Sequence, residues 1–309
     1  VEDAALERTL DVAADQFERG NVAHAVELLK QVLSIDPDHA RAHALLSLAL
    51  VRQRRLRAAL VEGQIAVGLE PEDPFAHVAL GEALIGNRKL AQAEEHLTRA
   101  ITLAPLDPAV LRARARLHRI RNQVSSAREL LEKARGLVPD DVDTLVALGE
   151  LELGTGALAQ AEELAESALS IQPEHVDGLV LMGQIHLRNG RIEDAREHAL
   201  WALSIDATDR GALVLMASIK IRKNPLLGLW WRYNAWCGEV GGARAVLVLL
   251  SAFVIYRVLG TYATLHDHKQ TSSLLEIFWI SACVYTWVGP GLFQRAIQKE
   301  LAQVELRNF

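Results

Sequence analysis

Residues 22–39 read VAHAVELLKQVLSIDPDH, a run in which Val22, Ala25, Val26, Leu29, Val32 and Leu33 recur at helical spacing until Pro37 ends it. Apolar residues at that spacing share one face of a helix, and proline cannot continue the ladder. The same ending returns at Pro71, Pro105, Pro139 and Pro173, 34 residues apart each time. Ala25, Ala59, Ala93, Ala127, Ala161 and Ala195 keep the same step, each of the first five lying 12 residues ahead of its proline. A fixed period of this length with a small residue in mid-unit predicts stacked helix-turn-helix repeats. Such arrays expose a long surface for other proteins, which moves the expected function from catalysis to binding.

With the proline as last residue but two, the units run 6–39, 40–73, 74–107, 108–141, 142–175 and 176–209 without a gap. The leading helix of each places an apolar residue before a small one, as in Val12-Ala13, Leu46-Ser47, Leu80-Gly81, Leu148-Gly149 and Met182-Gly183. Seven residues later Gly20, Gly156 and Gly190 mark a turn that needs left-handed backbone. Repeat four carries Arg114 and Asn122 at the Leu and Gly positions, repeat six ends in Ala207 instead of proline, and residues 210–223 begin like a seventh leading helix before Pro225. That last segment is read as the cap that repeat arrays require.

The pattern over 6–209 resembles the tetratricopeptide repeat family. The resemblance implies an all-α, right-handed solenoid of about six helix-turn-helix repeats plus a capping helix. The aromatic common near the start of the family's first helix is replaced by Thr9, His43, His77, Leu111, Leu145 and Leu179. It also implies a concave groove lined by unit positions 2, 5, 9 and 12. Repeat four is the outlier there, with Arg112, Arg116 and Arg119 on one helix face. Their guanidinium forks suit an acidic or phosphorylated segment. Glu82 and Glu150 occupy position 9 of the adjacent repeats, so the same arginines also fit a structural ion-pair ladder. These five residues are the candidate partner-binding set. The basic run Arg52, Arg54, Arg55 and Arg57 is read as solvated surface. The family's clamp for a C-terminal carboxylate is absent from Glu7, Leu10, Asp11, Ala14, Arg41, Ala44, Leu45 and Leu48.

Composition changes near Ile219. Residues 1–219 hold 23 basic and 34 acidic side chains, while the remainder holds 10 basic and 5 acidic, a contrast hidden in the net charge of −6. The acidic body argues against nucleic acid, which needs a basic face. Residues 243–265, ARAVLVLLSAFVIYRVLGTYATL, form an apolar run interrupted only by Arg244 and Arg257. A helix of about 23 residues crosses ~30 Å of hydrocarbon. Residues 274–293 hold Glu276 as their one charge and include Gly289-Pro290-Gly291. The reading is therefore a solenoid at 1–223, a tryptophan-rich interfacial segment at 224–242, and a two-helix transmembrane hairpin with an amphipathic tail at 243–309. Trp230, Trp231 and Trp236, with Trp279 and Trp287, fit membrane-interface anchors; Arg257 is placed to snorkel or meet a polar partner, and with Glu276 it would offer lateral contact to other membrane subunits. Lys220, Arg222, Lys223, Arg232 and Arg244 precede the first span, and Arg295 and Lys299 follow the second, with only Lys269 between. That bias puts both termini and the repeats in the cytoplasm, and high Ala, Leu and Arg usage points to a bacterial source, so the expected location is a bacterial inner membrane.

The 2 cysteines, Cys237 and Cys283, have no metal-ligand spacing and read as small apolar residues. His266-Asp267-His268 is too sparse for a metal site. No cofactor is expected. The opening VEDAALERTL has neither a basic start nor an apolar run, so no signal peptide is expected in it. No phosphate loop, nucleophile elbow or HExxH is present, so no enzyme is expected. The leading expectation is a membrane-anchored scaffold or adaptor that recruits or assembles protein partners of an integral membrane complex. Its alternatives are a permanent accessory subunit of a respiratory, transport or secretion complex, and a receptor for acidic or phosphorylated segments.

Overall fold

The computed structural model describes residues 2–223 and, further on, 253, 254, 256–258, 261, 262 and 279. Contacts divide the chain into two units, Val1–Leu215 and Met216–Phe309. Among the described residues there are thirteen helices and no strand: α1 (Glu2–Glu18), α2 (Val22–Ile35), α3 (Ala40–Arg52), α4 (Leu56–Leu69), α5 (Pro74–Gly86), α6 (Leu90–Leu103), α7 (Pro108–Ile120), α8 (Val124–Leu137), α9 (Val142–Thr155), α10 (Leu158–Ile171), α11 (Val176–Arg188), α12 (Ile192–Ile205) and α13 (Arg210–Lys223).

Each odd helix up to α11 packs on the even helix that follows it, because a turn of two or three residues leaves room only for an antiparallel pair. The six mid-unit alanines are all 0 % exposed, which lets the two helices of each pair close on one another. A side chain larger than alanine has no room there. The odd helices also pack on the next odd helix, as in α3 on α5, α5 on α7 and α9 on α11, while the even helices make no extensive contact with one another. An array that touches along one layer and splays along the other must curve, with the odd helices inside.

The turns share one conformation. Gly20, Gly156 and Gly190 have φ of 87°, 89° and 80°, and the equivalent Arg54, Arg88 and Asn122 have 60°, 62° and 61°. At each turn the N–H of the next residue donates to a carbonyl in the last turn of the preceding helix, as from Asn21 to Gln16 and from Gln123 to His118, both at 2.9 Å. This closure satisfies the orphan carbonyls at a helix C-terminus. Repeat four, with Asn122 at the turn, is thus built like the others. Arg114 is accommodated by reaching over to the preceding repeat, where it donates to the Glu94 carbonyl at 3.1 Å and to Thr98 Oγ1 at 3.0 Å.

The residue before several of the inner helices caps them. Asp73 accepts from the Phe75 and Ala76 N–H groups at 3.0 Å, Asp107 from Ala109 at 2.8 Å, and Asp209 from Ala212 at 2.7 Å. The histidines that replace the family's aromatic are not passive. His43 and His77 each set Nε2 against the carbonyl of the preceding proline, at 2.8 Å to Pro37 and 2.9 Å to Pro71. Their Nδ1 atoms meet Glu62 at 2.6 Å and His96 Nδ1 at 3.0 Å on the outer helix. Each therefore ties three consecutive segments together.

Among the described residues no helix is long and apolar enough to cross a membrane. The segment 224–242 with Trp230, Trp231, Trp236 and Cys237 lies outside the described residues, as do Glu276, Cys283, Trp287, His266 to His268, the tail beyond 293 and most of 243–265 and 274–293. The positions that are described there, 253, 254, 256–258, 261, 262 and 279, are helical. Trp279 stacks flat on Tyr256, with centroids 5.2 Å apart and planes at 8°, and touches Phe253 at 5.9 Å. Side chains of the two apolar stretches are thus in contact. Phe253, Val254, Val258, Tyr262 and Arg257 are exposed.

Candidate functional site

The inner helices leave two cavities of about 410 and 630 Å³ that share Val51, Arg52, Arg112, Arg116 and Asp143 in their walls. Their shared walls make them one channel along the concave face. The larger end is apolar where repeats one to three contribute Phe17, Leu45, Leu48, Phe75 and Val78. The other end is charged, with Arg54, Arg119 and Arg210 facing Glu150, Asp177 and Asp209.

Arg112, Arg116 and Arg119 all reach this channel, as their spacing on α7 requires. Each already holds a carboxylate of the chain itself. Arg116 Nη1 donates to Glu82 Oε2 at 2.6 Å and Arg119 pairs with Glu150 at 2.7 Å. Arg112 bonds to Asp141 and, at 3.1 Å, to Asp143. The five candidate residues are therefore brought together in ion pairs that run from repeat three to repeat five, with Glu150 on Arg119 and not on Arg116. Glu82, only 9 % exposed at its side chain, raises the pKa of Arg116 above its ordinary value, and Glu150 and Asp177 add to this. An acidic ligand would compete with these internal carboxylates.

Three residues outside the candidate set matter here. Asp143 accepts from His175 Nε2 at 3.3 Å while His175 Nδ1 accepts the Gly178 N–H at 3.1 Å, which fixes the ring as its Nε2–H tautomer. That hydrogen bond first, and then Arg112, lower the Asp143 pKa to about 2. The third is Arg52. Expected as solvated surface, it lies 4.8 Å over the Phe17 ring centroid and pairs with Asp177 at 3.4 Å. No local pattern could reveal a contact between repeats two and six. On the outer face Glu94 holds both Arg121, at 2.6 Å, and Arg114, at 3.2 Å. Among the described residues no cluster of His, Cys, Asp and Glu is arranged to hold a metal.

A curved double layer of helix pairs around a side-chain-lined channel defines a repeat solenoid, the class of protein–protein interaction scaffolds. Tetratricopeptide repeat models match residues 16–62 and 153–219, and 78–142, together more than half of the chain, and the protein belongs to the tetratricopeptide repeat family. No curated protein matches by sequence. A thermophilic tetratricopeptide repeat protein of Thermus thermophilus is similar in fold, with a TM-score of 0.52 and 22 % identity over 59 % of this chain and 99 % of that one. The human IFIT1 dimer with PPP-AAAA aligns at 0.56 and 18 % identity, covering 90 % of this chain and 73 % of that one. The Cut9–Hcn1 hetero-tetramer of the APC/C aligns at 0.51 and 15 % identity, covering 69 % of this chain and 42 % of that one. At these identities the likeness is one of fold.

Proposed function

We propose that this chain is a membrane-anchored scaffold whose repeat channel holds a protein partner close to, or assembles it into, an integral membrane complex. The observation that carries the binding half is the continuous channel lined by inner-helix side chains of all six repeats. The anchor is supported by the two apolar stretches and by the stacking of Trp279 on Tyr256 with Phe253, Val254 and Val258 left exposed, as lipid-facing side chains would be. The charge bias around the stretches favours a hairpin with both termini and the repeats in the cytoplasm of a bacterium. Permanent membership of one complex is the natural extreme of the same activity.

The test compares the tagged full chain with a version ending at Lys223. The full chain should sediment with membranes, resist alkaline carbonate, and retain membrane subunits in gentle detergent. The truncation should be released while keeping soluble partners of the channel. A full chain that carbonate extracts completely refutes the anchor. A truncation that loses every partner assigns binding to the C-terminal part.

A further inference from the structure

The two ends of the repeat array meet. Gly20, in the first turn, lies so close to repeat six that a Cβ on it would stand 2.9 Å from Val176 Cγ2. Arg52, at the end of α3, reaches Asp177 near the start of α11 at 3.4 Å. Between them is a small void of about 30 Å³, walled by Gly20, Val22, Arg52 and Gln53 on one side and by Val176, Asp206, Thr208 and Asp209 on the other. All extensive helix contacts elsewhere in the array join helices one or two apart in chain order. The seam is different in kind, since it joins residues more than a hundred positions apart through a handful of atoms.

We propose that this seam is a latch: the Arg52–Asp177 pair holds the solenoid closed around its channel, and its release opens the concave face to a partner. Several features fit that role. Arg52 lines both cavities and the void, so it stands where the channel meets the seam. Its guanidinium is positioned by the Phe17 face, 4.8 Å away, an attraction that survives release of the carboxylate. Arg52 is the cation that pairs with this group of acids from the repeat-two side, where Asp177 and Asp209 line the same end together with Arg54 and Arg210. Burial raises the pKa of Asp209, Asp177 and Asp206 raise it further, and the Ala212 N–H bond and, less strongly, Arg52 oppose them. Without it those acids, which all stand on the repeat-six side, lose the Arg52 charge held against them across the seam.

The latch is weak by construction. Its two side chains are 36 % and 44 % exposed, and pairs in such positions are held loosely and screened by salt. A solenoid whose repeats bind only their neighbours loses little when its ends part. Closed, the ring admits no folded partner to the wall of Arg112, Arg116 and Arg119. Open, it presents that wall. Partner admission rests on the scaffold reading above, whereas opening itself does not and is measured without any partner.

The experiment is double electron–electron resonance on the full chain in detergent, with spin labels at Arg57→Cys and Glu197→Cys in a Cys237→Ser, Cys283→Ser background. The otherwise unaltered chain should give a mainly short distance at low salt, with a longer population growing as salt rises to about 0.5 M. Arg52→Glu should shift the ratio of long to short distances about tenfold towards long at low salt and remove the salt response. Arg52→Glu with Asp177→Arg should restore the short distance, and its helical circular dichroism, compared with that of the single variant, separates opening from misfolding. An Arg52→Glu distribution that matches the unaltered chain, or a charge swap that restores nothing in a helical protein, overturns the latch.

Discussion

Replacing Arg116 by methionine keeps most of its stem and removes its charge, leaving Glu82 as a carboxylate only 9 % exposed with its 2.6 Å partner gone. Breaking a fully buried pair costs about 3–5 kcal/mol. The Arg116 side chain is 43 % exposed, so water screens part of the loss and about 2 kcal/mol is the expected cost. For an array of this length that lowers Tm by roughly 4–8 °C. The assay is thermal unfolding of the full chain by circular dichroism, with hydrogen exchange to localise the effect to α5 and α7, since repeat stability is local. Glu82→Gln together with Arg116→Met should recover at least half of the loss, because neither charge is then stranded. An Arg116→Met protein within about 0.5 kcal/mol of the parent, or a double variant worse than the single one, refutes the ladder and leaves the arginine free for a ligand.

The turns give a second set of expectations. At Gly156, with φ of 89° and open space where a Cβ would go, Ala should cost about 1 kcal/mol from backbone strain alone and Asn less, read from urea midpoints. Arg88→Gly, at φ of 62°, should be neutral or stabilising by up to about 0.5 kcal/mol, since relieved strain is offset by the entropy of glycine. Gly20→Ala carries the same strain plus the Val176 contact, so it should exceed Gly156→Ala and also lengthen the spin-label distance across the seam. Asp143 supplies the pH dependence. Its pKa falls from 3.8 to about 2 on folding, so its contribution is complete above the unfolded value and is lost as pH falls through that interval. With half its side chain exposed the effect is about 1 kcal/mol, and Asp143→Asn should flatten the acid limb of stability between those two pH values.

The repeats were legible because each unit solves the same local problem. Ala25, Ala59 and their equivalents must be small where two helices cross, and the position before each proline-marked end must close a helix, so a single chain shows the first rule six times and the second five times. The conformation at Arg54, Arg88 and Asn122 was not legible from residue type, since only three of six turns advertise glycine. It follows from the register: once the unit is aligned, the turn falls at the same place everywhere and the backbone has one way to make it. His43 and His77 read as missing aromatics, yet their ring nitrogens bond the proline carbonyls and the outer helix, a role visible only when three segments are seen together.

The channel chemistry divides along the same line. Arg112, Arg116 and Arg119 could be placed on one face from spacing alone, and their proximity to Glu82 and Glu150 from the period, because partners one repeat apart are fixed by the stacking rule. The Arg52–Asp177 contact obeys no such rule. Whether the ends of a solenoid meet depends on the small rotation added by each repeat, summed over six of them, and a change too slight to alter any local pattern decides it. The same summation makes the closure sensitive. A modest shift in packing at any one interface is carried to the seam, where a loosely held ion pair has little strength to resist it. Substitutions far from Arg52, such as Gly149→Val against Leu181 Cδ2, which lies 2.6 Å from where a Cβ would stand, should therefore move the seam distance as well as stability. A ring whose seam ignores such a change would be held by something stronger than the latch.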